Sequence, residues 1–311
     1  MRSSKRAGRK RKWLMITGVI LLIMLFSGGA YAYSVYHSIN KAVETMHNPI
    51  DREKSTKRTE DIQFNYREPF SVLLMGVDER ENDKGRSDSM IVLSVNPELK
   101  SVKMISIPRD TLTEIVGKGI KDKINHSYAF GGVEMAMDTV ENLIDIPIDY
   151  FVQINMEGFQ EIVNAVGGVT VQNDLSFEYE GFTFPEGELT LNGKEALAFS
   201  RMRYEDPRND FGRQLRQRQI IQAVIKEGAS VSSLWNFDNI FDALGKNIKT
   251  NLTFDEMVDI QKHYKAASAT IDQIQIQDGS GTKIDGIYYY VIPDTEITRI
   301  QDLFKEHMKI D

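Results

Sequence analysis

From residue 69 onward, short and nearly continuous apolar runs alternate with longer stretches of helical spacing. Residues 70–76 (Phe-Ser-Val-Leu-Leu-Met-Gly) are apolar at almost every position, the pattern of a strand buried on both faces. Residues 90–95 and 102–107 read the same way, and the Asn-Pro-Glu-Leu-Lys stretch at 96–100 predicts a hairpin between them. Further strands are predicted at 148–154, 169–172, 271–277 and 287–291. Helical spacing predicts helices over 133–143, 158–166, 192–203, 211–227, 234–248, 253–267 and 295–308. Gly167-Gly168 stops the second of these, and Thr253-Phe-Asp-Glu256 is a capping-box signature. Strands interleaved with helices indicate one α/β domain whose central sheet is covered on both faces, and the hairpin makes that sheet mixed.

The N-terminal part follows a different pattern. Residues 13–33 form a run of 21 without a charge, long enough at ~1.5 Å per residue to cross the ~30 Å core of a bilayer. Trp13, Tyr31, Tyr33 and Tyr36 stand where interfacial aromatics belong. Residues 1–12 carry seven Lys or Arg and no acid. This basic head predicts a cytoplasmic tail at 1–12, a signal anchor at 13–33 and a chain that faces outward beyond it. Ala30-Tyr31-Ala32 resembles a small-residue cleavage site, which leaves a cleaved signal peptide as the alternative. Residues 34–65 are polar and mixed in charge and read as an extracytoplasmic stalk, with the folded domain at 66–311.

Composition narrows the chemistry. The chain beyond residue 12 carries 31 basic and 45 acidic residues, which argues against a nucleic-acid partner. Cysteine is absent, so disulfides, thiolate metal sites and cysteine catalysis are excluded. The five histidines show no zinc spacing, and there is no Gly-x-Ser-x-Gly elbow.

Within this acidic body, the stretch from 199 to 219 gathers Arg201, Arg203, Arg213, Arg216 and Arg218. A guanidinium fork binds phosphate bidentately and stays charged, so the cluster is a candidate phosphate site; a solvated helix face is the plainer reading. Arg213 and Gln217 are four apart and share a helix face. Asp78 follows one buried strand and Asp88 precedes the next. Ligand sites collect at such strand ends, and two carboxylates suit Mg²⁺ completed by substrate phosphates, although both also fit ordinary turns. Arg109 in Ser106-Ile-Pro-Arg-Asp110 ends a third strand at the same edge. Gly131-Gly132, after Lys121-Asp-Lys123, opens a candidate anion-binding helix N-terminus; His126 has no partner motif and reads as structural. Acids and arginines together point to phosphoryl-group chemistry.

Six ordered motifs carry a resemblance. They are Leu-Leu-Met-Gly-Val-Asp-Glu-Arg at 73–80, Gly-Arg-Ser-Asp-Ser-Met at 85–90, Ser-Ile-Pro-Arg-Asp at 106–110, Lys-Ile-Asn-His-Ser-Tyr-Ala-Phe-Gly-Gly at 123–132, Ala-Leu-Ala-Phe-Ser-Arg-Met-Arg at 196–203 and Asp-Phe-Gly-Arg-Gln-Leu-Arg-Gln-Arg-Gln at 210–219. The sequence resembles the LytR-CpsA-Psr family of cell-wall glycopolymer ligases, and among them the Gram-positive teichoic acid transferases. The resemblance implies an α/β/α sandwich with an apolar pocket for a polyprenyl tail. It implies transfer of an undecaprenyl-diphosphate-linked polymer, such as wall teichoic acid, with its proximal phosphate to the C6 hydroxyl of N-acetylmuramic acid in peptidoglycan, releasing undecaprenyl phosphate. Asp78 and Asp88 would then hold Mg²⁺ (or Mn²⁺) and act with Arg109 in catalysis. Arg109, Arg201, Arg203, Arg213 and Gln217 would bind phosphate, with Lys123, Arg86, Asp210 and Arg216 as weaker assignments. Arg216 and Arg218 are otherwise expected on the helix surface. A membrane-bound transcriptional attenuator and a wall-polymer binding protein without turnover are the competing expectations.

Overall fold

A computed structural model describes residues 43–52, 54–78, 85–230 and 245–310, together with positions 33, 37, 40 and 41. Three apolar runs form a meander: β1 (Phe70–Val77), β2 (Ser87–Asn96) and β3 (Ser101–Ile107). The 96–100 turn is the predicted hairpin, with Asn96 Oδ1 accepting from the backbone N–H of Glu98 and Leu99, each at 3.0 Å. A small hairpin, β4 (Leu112–Ile115) and β5 (Ile120–Lys123), leads into helix α1 (His126–Ile144). Then follow β6 (Tyr150–Ile154), α2 (Met156–Ala165) and β7 (Val169–Asn173), the hairpin β8 (Phe177–Tyr179) and β9 (Phe182–Phe184), β10 (Gly187–Leu191), α3 (Gly193–Arg201) and α4 (Asp210–Ser230). The chain closes with β11 (Ile248–Thr250), α5 (Phe254–Tyr264), β12 (Thr270–Ile274), the hairpin β13 (Ser280–Ile284) and β14 (Ile287–Val291), and α6 (Asp294–Met308).

The central sheet has six strands in the order β11-β6-β1-β2-β3-β12. β1 pairs parallel with β6 and β3 with β12, while β2 and β11 run the other way, so the sheet is mixed as expected. Alternation along β1 sends Leu73, Met75 and Val77 to one face and Phe70 and Val72 to the other. On the first face they pack against Ala136, Met137 and Val140 of α1 and Ile300, Phe304 and Met308 of α6. On the second they meet Tyr264 of α5 and, at the margin, Ile221 and Ile225 of α4. The result is an α/β/α sandwich. A third apolar cluster joins β7, β8 and β9 to α3 and α4 through Phe177, Phe184, Phe199 and Ile220.

Several expectations change. Helix α1 begins at His126, seven residues before the predicted start, and breaks at Gly131 and Gly132, where Gly132 has φ 67°. The helix predicted at 234–248 falls mostly outside the described residues, and its last residue, Ile248, opens strand β11. The capping box at Thr253 and Glu256 forms, and a second one, unforeseen, caps α3 with Asn192 and Glu195.

The segment expected as a free stalk lies on the body. Met46 and Phe64 are buried, and Asn48 N–H donates to Thr250 O at 2.8 Å. Basic residues then follow an acidic track: Arg52 pairs with Asp138 and Glu141, Lys57 with Asp145, and Arg58 with Asp149. Buried Glu141 also accepts from Ser55 Oγ at 2.6 Å and from Ile148 N–H at 2.9 Å. The apolar run at 13–33 lies, apart from Tyr33, outside the described residues. Among the described residues no helix is long and apolar enough to cross a membrane.

Candidate functional site

The carboxyl ends of β1, β3 and β6 and the start of β2 meet at one edge of the sheet. There β2 carries a bulge: Gly76 pairs with Ser89 and Val77 with Ser87, so Asp88 is the extra residue between them. A bulge redirects its side chain and often stands beside a functional site. Arg109 follows the Pro108 exit of β3 and donates from Nη1 to Asp88 Oδ1 at 2.7 Å.

Between this edge and helices α2, α3 and α4 lies a cavity of about 420 Å³. Its inner wall is apolar, with Leu74, Ile91, Ile154, Phe159, Leu197 and Ile221. Its mouth is polar. Asp78, Asp88, Arg109, Arg201, Arg203, Arg213 and Gln217 all line it, so seven of the eleven residues expected from the motifs are brought together. Lys123 and Arg86 are not on the wall. Lys123 Nζ instead bonds to Asp110 Oδ1 at 2.6 Å, whose other oxygen is 3.8 Å from Arg109 Nε, so the lysine stands behind the arginine. His126 pairs with Asp122 at 2.8 Å, in keeping with a structural reading.

Electrostatics keep the mouth charged. Burial pulls the Arg109 guanidinium down, but the hydrogen bond and charge of Asp88, with Asp110 and Asp210 nearby, outweigh it and raise the pKa. Burial of Asp210 would favour its neutral form; Arg213, Gln214 and Arg203 reverse this and hold the carboxyl below its ordinary value. Arg213 donates from Nε to Asp210 Oδ1 at 3.0 Å. Arg203 approaches the same oxygen only to 3.8 Å, and its Nε is buried without a hydrogen-bond partner among the described residues. Such a donor is costly unless something accepts from it. Arg201 bonds to Glu180 Oε1 at 2.8 Å, at the tip of the β8–β9 hairpin whose Tyr179 lines the cavity.

Arg216 and Arg218 correct the expectation of a helix surface. Arg216 is 1% exposed and ion-paired with Asp206 at 2.6 Å. Its other nitrogens donate to the carbonyls of Phe199 and Met202, so it clamps the end of α3 and the turn beyond it, which carry Arg201 and Arg203. The helix must come close for this. A Cβ on Gly212 would stand 1.9 Å from Asp206 Oδ2, so only glycine fits there. The buried stripe Gly212, Arg216, Ile220, Ala223 has helical spacing and was the available signal. Arg218 is also buried; it donates to Ser106 Oγ at 2.9 Å, and burial lowers its pKa to about 10.

The cavity thus combines an apolar interior with a mouth of four arginines and two aspartates. The LytR_cpsA_psr family model matches residues 33–306. The chain belongs to the LytR_cpsA_psr family. As a member of this family it is 51% identical, over 99% of its length and 100% of the relative's, to the polyisoprenyl-teichoic acid–peptidoglycan teichoic acid transferase TagU of Bacillus subtilis. The crystal structure of that TagU matches 78% of this chain and 98% of its own with a TM-score of 0.64. A structure of the family protein TagT with bound octaprenyl pyrophosphate lipid matches 85% of this chain and 100% of its own, at 27% identity and a TM-score of 0.68.

Proposed function

We propose that this family member is a membrane-anchored transferase that moves a polyprenyl-diphosphate-linked glycopolymer, of the wall teichoic acid kind, onto peptidoglycan. The observation that carries the reading is the two-part cavity, whose apolar interior suits a prenyl chain and whose arginine mouth suits a diphosphate. The printed names of TagU and of the lipid-bound TagT support it.

In this reading residues 13–33 anchor the chain and the folded domain faces outward. The prenyl chain lies along Leu74, Ile91, Phe159 and Leu197, and the diphosphate meets Arg109, Arg201, Arg203, Arg213 and Gln217. The C6 hydroxyl oxygen of N-acetylmuramic acid attacks the phosphorus nearest the polymer. The bond from that phosphorus to the bridging oxygen breaks, the hydroxyl proton passes to a carboxylate near Asp78 or Asp88, and undecaprenyl phosphate leaves. The arginines stabilise charge that grows on the leaving phosphate, the largest lever available in such a transfer. None can act as the base, because a guanidinium stays protonated.

The donor set fits Mg²⁺. Among the described residues no group of three or more metal-ligating acids or histidines exists, but Mg²⁺ commonly takes one or two carboxylates and completes its shell with substrate phosphates. Asp78 and Asp88 would hold it, and it would neutralise diphosphate charge.

The test is reconstitution: full chain in detergent, lipid-linked polymer, peptidoglycan and Mg²⁺, with polymer transfer read by gel shift. Transfer is expected with Mg²⁺ and a loss of at least about tenfold with EDTA. Wild-type protein that transfers nothing under these conditions removes the enzymatic reading; transfer indifferent to EDTA removes the metal.

A further inference from the structure

Behind Arg109 stands an acid that a second cation holds. Asp110 Oδ1 accepts from Lys123 Nζ at 2.6 Å, while its Oδ2 is 3.8 Å from Arg109 Nε. The other side of Arg109 is already engaged, with Nη1 donating to Asp88 Oδ1 at 2.7 Å. Asp110 is therefore about 1 Å short of a charge-assisted bond to Nε. Three acids, Asp88, Asp110 and Asp210, bear on this one guanidinium. Were Asp110 to close on Nε as Asp88 holds Nη1, the protein's own carboxylates would occupy the fork. Little positive charge would then remain for a ligand's phosphate.

The backbone around this pair is fixed without it. Leu112 of β4 pairs with Lys123 of β5. Ile124 N–H donates to Thr111 O at 2.8 Å, Asn125 N–H to Arg109 O at 3.3 Å, and Tyr290 N–H to Asp110 O at 2.8 Å. Lys123 Nζ also lies 5.9 Å from the ring centroid of Tyr289, a cation–π distance. The ammonium thus sits between a carboxylate and an aromatic face, off the cavity wall, and acts on the mouth through Asp110.

We infer that Lys123 is a positioning residue that holds the Asp110 carboxylate back from Arg109 and so keeps the guanidinium free for the donor's diphosphate, an inference that rests on the transferase reading above. Without the ammonium, Arg109 is the one remaining ion-pair partner of Asp110 among the described residues. A plain clamp between β5 and the exit of β3 fits less well, because backbone bonds already join those segments. Direct phosphate binding by Lys123 also fits less well, because its side chain is 18% exposed and turned to Asp110. The three roles differ in one respect. Only a residue that restrains Asp110 loses its importance when the Asp110 charge is removed.

The experiment is a double-mutant cycle on the full chain in detergent, with Lys123→Met made in wild type and in the Asp110→Asn background. Affinity for geranylgeranyl diphosphate is read by titration calorimetry, and kcat/KM for the lipid-linked polymer by the transfer assay. Lys123→Met is expected to weaken both about tenfold in wild type and less than about twofold beside Asp110→Asn, a coupling of the size found between charged residues in contact. Lys123→Arg, which keeps a cation on Asp110, recovers most of the loss. An equal loss in both backgrounds assigns Lys123 to the phosphate or to the fold and overturns the inference. No loss in either background overturns it as well. In both cases transfer by wild type leaves the proposed function standing.

Discussion

At the amino edge of the central sheet, Arg52, Lys57 and Arg58 each meet a carboxylate on α1 or on the loop that follows it. At the carboxyl edge, four arginines and two aspartates line an open cavity, and one arginine nitrogen has no hydrogen-bond partner among the described residues. Both edges use the same residue types. The difference lies in closure. Where acid and base are buried together, as in Arg52–Glu141 and Arg58–Asp149, the charge holds chain to chain. Where pairs face a cavity and some approach only to 3.8 Å, positive charge is left for a ligand that brings its own oxygens.

The largest expected effect tests the closed edge. Glu141→Ala leaves Arg52 and Ser55 without their shared acceptor, and removing one partner of a buried pair costs about 3–5 kcal/mol. Thermal unfolding should show that loss while the protein that stays folded keeps its wild-type kcat. A variant of wild-type stability and impaired transfer would break the comparison from this side.

Next comes the open edge. Arg109→Ala should lower the transfer rate about 10²–10³-fold, the usual cost of removing one charge-stabilising donor, with little change in melting temperature. Wild-type transfer by this variant would show that the mouth is not the site.

The third and smallest effect uses pH. His307 of α6 is 2% exposed, with Ser94 Oγ 2.7 Å from Nδ1 and Ser101 Oγ 2.9 Å from Nε2. Burial, aided by the charge of Lys103, lowers its pKa to about 4. The unfolded chain has an ordinary histidine near ~6.5, so it binds the proton first as pH falls. This contribution is complete above pH ~6.5 and is lost as pH falls towards 4, by up to about 3 kcal/mol. Chemical denaturation across that range should show the slope in wild type and lose it in His307→Gln.

Much of this architecture was legible because its strands are buried on both faces. The apolar runs at β1, β2 and β3 have no competing pattern, and the hairpin turn between the last two carries its own signature. Strands β5 and β13 escaped because they alternate weakly and stand largely in solvent, with β13 exposed throughout. At the site, motif order located seven wall residues, but a position in a motif does not say which way a side chain faces. Lys123 matched a motif and yet turns to Asp110. Arg216 resembles the other arginines of the motif by composition, and only its four-residue spacing to Gly212 and Ile220 marks it as interior. A buried arginine needs a countercharge from elsewhere in the chain, here Asp206 ten residues earlier, and local pattern does not show that partner.

The docked N-terminal segment has one further consequence. With residues 13–33 as the anchor, the body does not ride on a 32-residue leash. From Val43 the chain is already seated on the body, against Phe254 and Met257. Only residues 34–42 separate the anchor from the seated chain, about 30 Å even if drawn straight. With that anchor the body would stand within that distance of the bilayer, and the proposed transfer would reach only wall strands of the innermost layer.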